Sequence, residues 1–212
     1  MAEYTFFTNP MSRGQIARWA LHEAGADYEQ VLLEYGGSMK GEEYLAINPM
    51  GKVPAIEHEG HVVTEAAAIC AYLAAAFPAA ELGPRADELA HYHRWMFFAA
   101  GPLESAVLMN SMEWQPSDEQ QRTAGWGSYE RALDTLCGWL GERQFVCGER
   151  FTMADVYVGS QVDWGVGFGT MPKRDELVAY AQRVQQRDAY QAAKKIDGDL
   201  IAEMQQAATP QE

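Results

Sequence analysis

The chain has 212 residues, 48% hydrophobic and 22% charged, a balance that packs a core and excludes a disordered or fibrous protein. A formal net charge of -14 and a pI near 4.7 exclude a polyanion-binding role, because nucleic acids are held mainly by Lys and Arg on phosphates. The apolar stretches, such as Ala66 to Phe77, fall short of the roughly 20 residues of a membrane span.

The start, Met1-Ala2-Glu3-Tyr4, lacks the basic and apolar regions of an export signal, so the cytoplasm is the expected location. Cys70, Cys137 and Cys147 form no C-x-x-C pair, which fits a reducing compartment and no dithiol site. His91 and His93 are two residues apart and point away from each other on a helix, so no metal site is expected there.

In chain order, Tyr4 to Phe7 reads as a strand that Asn9-Pro10 stops. Ile16, Ala17, Ala20, Leu21 and Ala24 recur at helical spacing up to a Gly25 stop. Tyr28 to Tyr35 predicts a second strand, closed by Gly36-Gly37 and followed by a short helix. Val53 to Ile56 and His61 to Val63, separated by Glu57-His58-Glu59-Gly60, predict an antiparallel hairpin. A helix from about Thr64 to Phe77 follows and ends at Pro78, which lacks a backbone donor. The order βαβ then αββα implies a thioredoxin-like domain with one mixed sheet, assigned to residues 1–79.

After the Pro- and Gly-containing connector Ala79 to Arg85, no segment reads as strand, and residues 86–212 predict an all-α helical-bundle domain. Leu89, Tyr92, Trp95, Met96 and Ala99 mark a helix face that Gly101-Pro102 should kink. Trp126, Leu133, Leu136 and Leu140 mark another helix. Thr152 and Asp155 have capping-box spacing before an apolar, buried helix. Asp175 to Arg187 and Tyr190 to Gln206 are the last helical stretches, with a frayed end after them.

Three patterns carry chemistry. Asn48-Pro49-Met50-Gly51-Lys52-Val53-Pro54 enters a short strand, and its Val53-Pro54 bond is a candidate cis peptide that would expose the Val53 backbone to an extended ligand. Glu65-Ala66-Ala67-Ala68-Ile69 opens a helix, whose free N–H groups and dipole favour an anion while Glu65 pairs with an amine. At the start of the first helix, Ser12 offers a hydroxyl beside a helix N-terminus, the setting that lowers the cost of ionising a thiol. Ser12-x-x-Gln15 also has capping-box spacing.

The order and spacing of these segments resemble the glutathione transferase superfamily, with its N-P-x-G-x-V-P loop and E-S-x-A-I helix start. The resemblance implies a glutathione-binding first domain, conjugation of glutathione to a small electrophile, and a homodimer. It places Val53 and Pro54 against the cysteinyl backbone, Glu65 and the Ala66 amide at the γ-glutamyl end, and Lys40 and Lys52 at the glycyl carboxylate. Ser12 is the implied catalytic donor and Asn9 the reserve. Phe7 stands where tyrosine-type members carry their catalytic hydroxyl, and no cysteine precedes Cys70. Ala66 replaces the usual serine and removes one hydroxyl donor. An electrophile pocket between domains would draw on Met11, Trp95, Phe98, Trp114, Trp164 and Phe168. The alternatives are a non-catalytic binding module and a glutathione-dependent isomerase, peroxidase or dehalogenase.

Overall fold

The computed structural model describes residues 2–208. Their packing divides into two compact units: one holds the residues up to 80 together with those from 186 on, the other Glu81–Gln185.

The first unit opens with β1 (Tyr4–Thr8), α1 (Gly14–Ala24), β2 (Tyr28–Leu32), α2 (Glu42–Ile47), β3 (Ala55–His58), β4 (His61–Thr64) and α3 (Ala66–Ala76). The sheet order is β2-β1-β3-β4; β1 runs parallel to β2 and antiparallel to β3, and β3 pairs antiparallel with β4. This is the expected mixed thioredoxin-like sheet. β2 ends three residues earlier than predicted: its last rung is the Leu33 N–H donating to the Thr8 carbonyl at 2.9 Å, and β1 stops at Thr8, which leaves Leu33 to Tyr35 no strand to pair with.

Alternation along β1 sends neighbouring side chains to opposite faces. Phe6 meets Tyr28 edge-on with ring centroids 5.6 Å apart, on the side of Arg18 of α1. Phe7 packs with Leu33, Met39, Tyr44 and Ala55 on the other.

Helix α1 is buried almost all round: Ile16, Ala17, Arg18, Trp19, Ala20, Leu21 and Ala24 are all buried. A second cover explains this. The sequence reading placed the final stretch in the 86–212 domain, but α10 (Asp188–Ala208) packs along α1 in the first unit. Arg187 holds Glu23 through two hydrogen bonds of 2.5 and 2.7 Å, and Tyr190 meets Trp19 edge-on. One turn on, Lys194 Nζ bonds Gln15 Oε1 at 2.8 Å. Arg18 Nε then bonds Asp197 Oδ1 at 2.9 Å, with both side chains at most 2% exposed. The predicted fraying of the chain end concerns in part residues 209–212, outside the described residues.

The second unit comprises α4 (Leu89–Phe98), α5 (Glu104–Ser111), α6 (Asp118–Thr123), α7 (Tyr129–Leu140), α8 (Met153–Gly167) and α9 (Asp175–Gln185). No strand is assigned in it. Around Gly101-Pro102 the chain makes a π-helical turn, Ala99–Leu103, that joins α4 to α5; a proline lacks the N–H a regular helix would use, and the widened turn absorbs the loss. The capping box of Thr152 and Asp155 forms at the start of α8. Asp155, fully buried, also accepts from the Val146 N–H and the Tyr180 hydroxyl, each at 2.8 Å. No helix among the described residues is long and apolar enough to cross a membrane.

Candidate functional site

The candidate residues of the first unit lie on three loops. The first links β1 to α1. Asn9 is buried and its side chain is spent on the loop: Nδ2 donates to the Leu33 carbonyl at 2.8 Å, and Oδ1 accepts from the Met11 N–H at 2.9 Å. Asn9 therefore shapes the turn. Ser12 is half-buried and accepts from the Gly14 N–H at 2.9 Å while its hydroxyl donates to the Asn9 carbonyl at 2.6 Å. Its proton is committed to that carbonyl, so a bound thiolate has to draw the hydroxyl away from it. Among the described residues the Ser12 N–H has no protein acceptor, which leaves a second donor at the same position.

The predicted box between Ser12 and Gln15 does not form. Helix α1 begins later, at Gly14, and Gln15 turns back so that Nε2 donates to the Pro10 carbonyl at 2.6 Å. Gly14 is needed there: a Cβ would lie 2.0 Å from Thr8 Oγ1 and 3.2 Å from the Asn9 carbonyl oxygen. Tyr35, half exposed, lays its hydroxyl on the Met11 carbonyl at 2.9 Å. Phe7 is core and offers no donor.

The second loop, residues 48–54, is braced from beneath. Asn48 Nδ2 and the Tyr44 hydroxyl both donate to the Lys52 carbonyl, at 2.8 and 2.5 Å, and Lys40 Nζ donates to the Gly51 carbonyl at 2.6 Å. Gly51 has φ +56°, and a Cβ there would meet Lys40 Nζ at 2.9 Å, so the glycine lets the lysine cross. The Val53-Pro54 bond is cis. Among the described residues, neither the N–H nor the C=O of Val53 has a protein partner, and the residue is only half-buried. Lys52 is exposed on the same loop.

At the third loop the chain enters α3 through Glu65, whose φ of +66° is uncommon for a residue with a side chain and marks a site where the surroundings dictate the backbone. The Glu65 carboxylate is exposed, and its carbonyl accepts from Ile69 at 2.9 Å. The amides of Ala66, Ala67 and Ala68 find no backbone acceptor and face the N-terminal end of the helix dipole. Ala66 itself is buried.

Two matches to family models coincide with this arrangement. Residues 2–75 match the glutathione S-transferase N-terminal domain and residues 89–188 the glutathione S-transferase C-terminal domain. A maleylacetoacetate isomerase of Pseudomonas aeruginosa is 30% identical over 181 residues, 80% of this chain and 83% of its own length. The chain belongs to the glutathione S-transferase superfamily. Within the superfamily it also resembles the glutathione S-transferase GstA of Escherichia coli O157:H7, 26% identical over 91% of this chain and 98% of that protein. A sphingomonad glutathione S-transferase solved in complex with glutathione superposes with a TM-score of 0.74 at 30% identity, over 92% of this chain and 98% of its own.

Sequence reasoning missed Gln15, Tyr35 and Lys194 as neighbours of the β1–α1 loop. Only Gln15 carried a local signal, and it pointed to the wrong partner. Of the aromatic residues put forward for an electrophile pocket, Trp95 is fully buried in the core of its unit, whereas Met11, Trp114 and Phe168 are exposed.

Proposed function

We propose that this glutathione transferase binds glutathione along the three loops, stabilises its thiolate at Ser12 and conjugates it to an electrophilic small molecule. The observation that supports the reading best is the half-buried Val53 backbone without an intramolecular partner, next to a helix start with free amides. An extended tripeptide has its own N–H and C=O to pair with Val53, a γ-glutamyl carboxylate for the amides of Ala66 to Ala68, and an ammonium for Glu65. Pro54 shapes the loop, and Lys40 and Lys52 supply positive charge for the glycyl carboxylate. At the thiol, the Ser12 N–H and the α1 dipole favour the anion directly, and the Ser12 hydroxyl joins them once it leaves the Asn9 carbonyl. Asn9 then acts through the loop it shapes. The protein works as a cytoplasmic homodimer in detoxification.

Titration calorimetry with glutathione, followed by turnover of a model electrophile, tests this. The Ser12→Ala variant should lose about tenfold to a hundredfold in kcat, the weight of a hydrogen bond to a charged group, with glutathione affinity little changed. No heat at millimolar glutathione would sink the assignment and favour a non-catalytic module. The Ala66→Ser variant should bind glutathione up to about tenfold more tightly, because it adds one hydroxyl donor at the helix start. The P. aeruginosa relative favours a second reading, glutathione-dependent isomerisation; a cis-alkene diacid added to the electrophile screen separates the two by whether the thiol is consumed.

A further inference from the structure

The turn that carries Ser12 is tied to the far end of the chain. Gln15 Nε2 donates to the Pro10 carbonyl at 2.6 Å, and Gln15 Oε1 accepts from Lys194 Nζ of α10 at 2.8 Å. A lysine ammonium has only donors, so it fixes which end of the Gln15 amide faces α10 and turns the NH2 toward Pro10. Pro10 has no N–H, and this carbonyl bond is its tether to α1. On the same helix the buried Arg18–Asp197 pair and the Glu23–Arg187 pair hold α10 in register, so Lys194 reaches Gln15 from a fixed base.

From this chain of contacts we propose that Lys194 is a positioning residue for the thiol site: through Gln15 it holds the Pro10–Ser12 turn in place and adds positive charge beside it. Its catalytic readout rests on the glutathione reading given above; its structural readout does not. The ammonium does not touch the thiol. Its effect reaches the reacting atoms through the placement of the Ser12 N–H and hydroxyl, and through a positive potential that favours the thiolate over the thiol.

The test uses the full chain and three variants, Lys194→Met, Gln15→Leu and Lys194→Arg. In the ligand-free protein, hydrogen exchange at the Met11 and Gly14 amides, both bonded within the turn, should quicken about tenfold in Lys194→Met and in Gln15→Leu and stay near wild type in Lys194→Arg. In turnover, the first two variants should lose about tenfold in kcat/KM at neutral pH and recover part of it in alkaline solution, where the thiol ionises unaided, with KM for glutathione nearly unchanged. If exchange rises along the whole of α10 in Lys194→Met, Gln15→Leu decides, because it leaves the other α10 contacts intact. Wild-type exchange at Met11 and Gly14 in Gln15→Leu would overturn the brace, and an unshifted pH profile in a turning-over enzyme would overturn its catalytic part. A wild-type protein that never binds glutathione defeats the functional reading alone, and the exchange measurement still judges the brace.

Discussion

Replacing Asp197 with alanine is expected to destabilise the first unit by about 3–5 kcal/mol in denaturant unfolding, because it strands the Arg18 guanidinium in the interior. Arg18 is inaccessible; Nε donates to Asp197, Nη1 donates to the Tyr28 hydroxyl at 3.0 Å, and the cation lies 5.2 Å from the centre of the Phe6 ring. Removal of the carboxylate leaves the charge without its counter-ion, and the ring faces and one phenol oxygen do not replace it. The double variant Arg18→Met with Asp197→Leu should recover most of the loss, since an apolar pair of similar volume avoids the desolvation of both ions. A double variant as unstable as Asp197→Ala would show that packing along α1 and α10, rather than the stranded charge, sets the cost.

An effect of similar size is expected in the second unit. Asp155 accepts four hydrogen bonds: from the Val146 N–H and the Tyr180 hydroxyl on one oxygen, and from the Thr152 N–H and hydroxyl on the other. Asp155→Ala removes the acceptor for all four and should cost about 3–5 kcal/mol, read by thermal or denaturant unfolding. The penalty depends on pH. Burial pushes the Asp155 carboxyl up to about 6, against the hydrogen bonds that favour its ionised form. A carboxyl raised on folding binds its proton more tightly in the folded state, so its contribution to stability is complete below about pH 4, the unfolded value, and is lost as the pH rises through 6. The difference between wild type and Asp155→Ala should therefore shrink by roughly 2–3 kcal/mol between pH 4 and pH 7. A penalty that grows with pH would mean that the hydrogen bonds outweigh burial and hold this carboxyl low.

Local signals made most of the fold legible. The Gly25 stop, the cis Val53-Pro54 bond and the Thr152–Asp155 box each involve residues within a few positions of one another, and the structure has all of them; the expected hairpin also forms, but its first strand lies two residues later and its turn narrows to Glu59-Gly60, because Glu57 and His58 pair with Val62 and His61. The backbone of Glu65 was not legible, because its φ is the reverse of what a glutamate prefers by itself and is imposed by the junction of β4 with α3. The box expected of Ser12 and Gln15 failed for a related reason. The spacing was right, but Pro10 and Lys194 compete for the Gln15 amide, and Lys194 lies 179 residues away. Arg18 is a polar residue among apolar helix positions, and its counter-ion, also 179 residues distant, has no pattern in the sequence to announce it.

The return of α10 to α1 bears on how the protein is made. A ribosome delivers residues 81–185, with every helix of the internal unit, before it releases the helix that shields Arg18 and Trp19. The first eighty residues thus stay open along one side of α1 until α10 has been made. Expression of the N-terminal segment by itself would present that bare side to solvent permanently.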